Sequence, residues 1–136
     1  MKVTYKNILV LQSFQEAITK FNLSSEDYVV IAKINKTVKK LADNISDFQE
    51  SVEDLRLDNC YKEGSKIVRE NNQLQWSAEG EKAFRKAYKE LLNEEVEVNV
   101  EPINYSELFA ILPKQAQASN KWEDVEEALT PFFINK

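Results

Sequence analysis

The side chains of this sequence that could do chemistry are carboxylates, lysines and arginines, five tyrosines and one thiol, Cys60, with no histidine anywhere. Lack of His removes the usual general base, the proton shuttle and the commonest metal ligand. Cys60 therefore has no imidazole to activate it, and its neighbours Asp58 and Glu63 would raise a thiol pKa and so disfavour a thiolate nucleophile. Glu94, Glu95 and Glu97 are paired acids that could hold Mg²⁺, yet acids alternating on a strand ordinarily mark its wet side. No Gly-rich phosphate loop, GxSxG or CxxC occurs, so the sequence implies a noncatalytic protein with no catalytic residue, no cofactor and no metal.

Two groups of cations remain. Lys82, Arg85, Lys86 and Lys89 form a basic stripe at helical spacing, and Lys33, Lys36 and Lys40 form another; either could grip phosphates. An amphipathic helix must also put something polar outside, and Glu79, Glu81 and Glu90 dilute the first stripe at both ends. A net charge of -5 and a pI near 4.9 oppose phosphate on average. A nucleic-acid-binding accessory role through Lys82, Arg85, Lys86 and Lys89 is thus the alternative, and protein–protein interaction the main expectation.

The elements that must position these groups follow from composition. A chain of 136 residues fits a single domain, because two separate cores would each be too small to bury most of their surface. With 43% apolar and 30% charged residues but 2 Gly and 3 Pro, it has little punctuation and should be built from long helices. The expected class is mainly α (α+β): a long helix packed in a helical bundle, with a small antiparallel β element. Residues 1–63 would form a helical hairpin, and residues 64–136 a β-hairpin, a helix, a strand and short C-terminal helices.

Ile8, Leu11, Phe14, Ile18 and Phe21 recur at steps of three and four and predict a first helix from Tyr5 to Phe21. Ser24 with Asp27 resembles a capping box opening a second. That second helix carries the clearest pattern: Ile31, Ile34, Val38, Leu41, Ile45, Phe48, Val52 and Leu55 alternate steps of three and four without a miss. As one rod it would span roughly 37 Å. Such a row either faces helices of the same chain or forms a partner or oligomer interface. Lys33, Lys36, Lys39 and Lys40 lie in its first half and Asp43, Asp47, Glu50, Glu53, Asp54 and Asp58 in its second. Two copies would therefore pair antiparallel, as a homo-oligomer, since parallel pairing stacks like charges.

Beyond Gly64, residues 66–69 and 73–76 flank Glu70-Asn71-Asn72, and Asn accepts the positive φ of a tight hairpin turn. Ser77 is the expected N-cap of a third helix, with Phe84, Ala87, Tyr88 and Leu91 on its apolar face. Glu95 to Val100 alternates as a strand expected to join the hairpin. Ser106 is expected to cap a short helix that Pro113 stops, and residues 114–120 to form a loop. A helical segment from Trp122 to Leu129 and a turn at Thr130-Pro131 then lead to Phe132, Phe133 and Ile134, a terminus expected to dock on the core.

No stretch reaches the 18 or so apolar residues of a membrane span, and the opening residues do not resemble a signal peptide. With the lone Cys60, this gives a cytoplasmic expectation and no membrane partner.

The run Glu90-Leu91-Leu92-Asn93-Glu94-Glu95-Val96-Glu97-Val98, then Pro102-Ile103, a short helix and the ending Leu129-Thr130-Pro131-Phe132-Phe133-Ile134 resembles a group of small uncharacterised phage and prophage proteins. They share a lysine-rich helix, a Leu-Leu-x-x-Glu-Val strand and a Pro-Phe terminus, over what are here residues 65–136. The resemblance implies a viral origin, with a virion or host-cytoplasm location, and transfers no catalytic residue.

Overall fold

The computed structural model describes residues 1–20, 27–117 and 120–136; Phe21, Ser24 and the proposed capping box lie outside them. In chain order the elements are β1 (Lys2–Thr4), α1 (Tyr5–Ile18), α2 (Tyr28–Lys40), α3 (Ala42–Asn59), β2 (Lys62–Glu63), β3 (Lys66–Ile67), β4 (Arg69–Glu70) and β5 (Gln73–Leu74). Then follow α4 (Ala78–Leu92), β6 (Glu95–Glu97), β7 (Ile103–Asn104), α5 (Tyr105–Ile111), α6 (Lys114–Gln117), α7 (Asn120–Leu129), a 3₁₀ turn (Thr130–Phe132) and β8 (Phe133–Ile134). The class is mainly α with small β pairs, antiparallel except for the parallel β7–β8 pair, and α6 occupies part of the stretch expected as a loop. Among the described residues, no helix is long and apolar enough to cross a membrane.

Two compact units divide the chain: Met1–Ile45 with Glu95–Lys136, and Ser46–Glu94. The expected division at residues 63 and 64 is not where the units part, because the second unit is an insertion that starts inside α3.

In the first unit, Thr4 caps α1 reciprocally. Its hydroxyl accepts from the Asn7 amide at 3.2 Å while its own amide donates to Asn7 Oδ1 at 2.8 Å, so two amides of the helix start are satisfied together. Asn7 Nδ2 also donates to the Ala128 carbonyl at 2.8 Å, tying α1 to α7. The three-four spacing read from the sequence puts Ile8, Leu11, Phe14 and Ile18 of α1 in the core, and α1 packs on both α2 and α7. Gln15 Nε2 donates to Asn35 Oδ1 at 2.8 Å across the α1–α2 contact.

The rod expected from Ile31 to Leu55 is two helices. At Leu41 the backbone turns to φ -92°, ψ 4°, and the Leu41 amide is shared between the carbonyls of Thr37 at 3.2 Å and Val38 at 3.1 Å. Just before the break, the buried Thr37 hydroxyl donates to the Lys33 carbonyl at 3.0 Å, a back-bond of the kind that bends helices. The Ile45 amide still reaches the Leu41 carbonyl at 3.0 Å, so the apolar row keeps its register through the bend.

Strand β6 pairs antiparallel with β1, Val96 opposite Val3, and does not join the hairpin as expected. Only a non-local partner could have shown this. The short helix α5 is capped by Asn104, whose Oδ1 accepts from the Glu107 amide at 3.1 Å, and not by Ser106, which donates to the Asn135 carbonyl at 3.2 Å. β8 pairs in parallel with β7, Phe133 opposite Ile103, and Phe132 is fully buried, so Phe132 docks as expected, while Phe133 is half-buried and Ile134 stays exposed.

In the second unit the Asn71-Asn72 turn is realised with φ 54° and 62°, the two positive values a type I′ hairpin needs; it joins β4 to β5. A second hairpin, β2 with β3, precedes it and turns at Gly64, φ 65°. Ser77 caps α4 as expected, its hydroxyl accepting from the Gly80 amide at 3.0 Å.

Candidate functional site

The eight-residue row expected as an interface is largely core. Ile31, Ile34, Leu41, Ile45, Phe48 and Val52 are each at most 9% exposed, while Val38 and Leu55 are half-buried. Most of its apolar surface is thus already removed from water within one chain, although Phe48 and Val52 keep an edge on an open hollow. The helix charges stay outside: Lys36, Lys39, Lys40, Asp43, Asp47, Glu50 and Asp58 are exposed, and Lys33 Nζ lies 3.6 Å from Glu107 Oε2.

The second unit is built differently. Its buried apolar side chains are Phe48, Val52, Cys60 and Leu91, and the apolar face of α4 is only partly covered: Phe84, Ala87 and Tyr88 are half-buried. Trp76, just before the Ser77 cap, meets Phe84 with ring centroids 5.3 Å apart. Phe84 meets Tyr88 at 5.9 Å and Tyr88 meets Phe48 of α3 at 6.0 Å. These four rings form a ladder along one flank of the α3/α4 pair, in tilted geometries favoured by aromatic quadrupoles.

An open hollow on that flank is lined by Phe48, Val52, Phe84 and Tyr88, with Gln49, Glu53 and Arg56 at its edge. Next to it, Lys82, Arg85, Lys86 and Lys89 surround Phe84 and Tyr88 in a second shallow hollow. All four cations are exposed. Arg85 is bonded to Glu81 at 2.5 Å, and Arg56 lies 3.7 Å from Glu53. Among the described residues no ion pair engages Lys82, Lys86 or Lys89. The opposite flank carries Leu55 and Ala87 among Asp54, Glu90 and Glu94, so the helix pair has one aromatic, basic side and one acidic side.

The sequence pattern placed Phe84, Ala87 and Tyr88 on an apolar face of α4 and the four cations on the other, whereas Phe84 and Tyr88 border one hollow together with those cations. The missed signal was an apolar face made largely of rings beside cations, with Trp76 only one residue ahead of the cap.

The groups weighed for catalysis do not gather. Cys60 is buried, its thiol 3.5 Å from the Leu57 carbonyl. Glu97 takes the Met1 ammonium at 2.6 Å, which holds its carboxyl below the usual carboxylate pKa by that hydrogen bond and charge. Among the described residues, no three His, Cys, Asp or Glu side chains converge as metal ligands would. The chain matches no protein-family model, no curated protein and no solved structure.

Proposed function

We propose that this chain is a noncatalytic protein–protein interaction protein, phage-encoded and acting in the host cytoplasm or in the virion, where it builds an assembly or blocks a host protein. The observation that carries the interaction role is the flank of α3 and α4 where Phe84 and Tyr88 stay half-exposed between four exposed cations. Half-covered rings with a charged rim are the composition of docking sites, in which aromatic anchors supply affinity and the rim supplies orientation. The viral origin is supported by the resemblance of residues 65–136 to small phage proteins.

Self-association as an antiparallel oligomer through the Ile31–Leu55 row draws no support from a row that is mostly covered within the chain. The nucleic-acid alternative keeps one favourable observation, since cations beside rings also suit single strands. A photo-crosslinking residue at position 86, with a control at exposed position 43, tests the reading in host cells. A discrete protein adduct specific to position 86 and insensitive to nuclease is expected. A nuclease-sensitive adduct there, or equal labelling from both positions, overturns it.

A further inference from the structure

We infer that the aromatic, basic flank receives a carboxylate-rich amphipathic helix of another protein, which lies along the α3/α4 pair as a third helix. This deepens the docking role proposed above and rests on it.

Two helices cannot cover each other's apolar stripes on both flanks, and the usual solution is a further layer. On α4 the uncovered surface is the stripe of Phe84 and Tyr88, one turn apart. That spacing suits the apolar face of a helix, whose own anchors recur at three and four residues. The rim decides the charge of the occupant. Lys82, Lys86 and Lys89 have no ion pair among the described residues, so they are free to meet carboxylates, and they stand on a chain whose overall charge is -5. A basic helix would be repelled by this rim while the rest of the molecule attracted it, so the local field also sets where an acidic partner lands.

Two other occupants fit less well. A second copy could offer α3, which is acidic, but Ile45, Phe48 and Val52 are at most 9% exposed and leave too little apolar surface to seat against Phe84 and Tyr88. A nucleic-acid strand would use the rings and cations but would meet Glu53 beside Val52 in the hollow, where neither an aliphatic side chain nor a carboxylate serves a base or a phosphate.

Fluorescence anisotropy on the full chain tests the inference with a labelled peptide of about 16 residues, roughly 24 Å as a helix. It carries Leu and Phe at helical spacing and Glu on its other face. A version with Lys for Glu and a single-stranded oligonucleotide of about 20 nucleotides serve as competitors. The Glu peptide should bind, the Lys peptide and the oligonucleotide should not displace it, and the triple variant K82E/K86E/K89E should bind it about tenfold more weakly. These three positions are exposed, and circular dichroism confirms that the variant folds. No binding of the Glu peptide, or an undiminished affinity in the triple variant, overturns the inference. If the Lys peptide binds in its place, the acidic partner is wrong while docking of a protein helix stands; if the oligonucleotide binds in its place, both fall.

Discussion

The rings of Phe48 and Tyr88 meet with centroids 6.0 Å apart, and this contact joins α3 to α4 at the point where buried core gives way to open flank. Phe48 is 5% exposed, whereas Tyr88 is half-buried and borders the hollow with Lys86 and Lys89. The same ring pair therefore closes the buried core on one side and opens onto the hollow on the other.

Phe48→Ala should cost about 3–5 kcal/mol of stability, as for other buried phenylalanines whose removal leaves a cavity. Urea unfolding followed by circular dichroism measures this, and light scattering of the folded fraction should give an unchanged mass. A loss under about 1 kcal/mol together with a fall in mass would show that the ring belongs to an intersubunit seam.

Gly80→Ala should destabilise the protein by about 1–3 kcal/mol through overpacking, although alanine is the better helix former by about 1 kcal/mol. A methyl at that position would overlap the Asn59 carbonyl oxygen at the end of α3, and backbone cannot rotate aside as a side chain can. Thermal unfolding of the variant checks the sign; a rise in Tm would mean that the first turn of α4 does not lie against Asn59.

Tyr105 should ionise at higher pH than a free tyrosine side chain. Burial first, and then its hydrogen bond and proximity to Glu126, raise its phenol above the usual 10.0, while Phe109 and Phe133 pack on its ring at 5.6 and 5.3 Å. Since the folded state holds the neutral phenol more tightly than the unfolded state, the associated stability is full below pH 10 and is lost as pH rises through the higher folded pKa. An absorbance titration near 295 nm should show a late component that disappears in Tyr105→Phe; a late limb unchanged by that substitution, or none in the parent protein, would contradict it.

Local chemistry was legible in the sequence and long-range pairing was not. The Ser77 cap, the Asn71-Asn72 turn, the α1 core stripe and the docking of Phe132 follow from residue type and short spacing, which act within a few positions. The break at Leu41 has no Gly or Pro to announce it; beside it the Thr37 hydroxyl back-bonds to the Lys33 carbonyl, a contact of the kind that bends helices. Strand β6 found β1 across about two thirds of the chain, a choice that its own alternation cannot encode. The burial of the heptad row has a related explanation. A perfect heptad row indicates that a surface will be buried, and here most of that burial occurs within the chain, whereas the half-buried rings of α4 share their spacing with ordinary core.

The most direct test of this division between core and docking surface is solvent paramagnetic relaxation in NMR, with a soluble gadolinium chelate. The ring signals of Phe84 and Tyr88 should broaden strongly, while the side chains of Ile34, Leu41 and Phe48 stay sharp. Equal broadening of the Ile34–Phe48 row, or protection of Phe84 and Tyr88, would contradict the account.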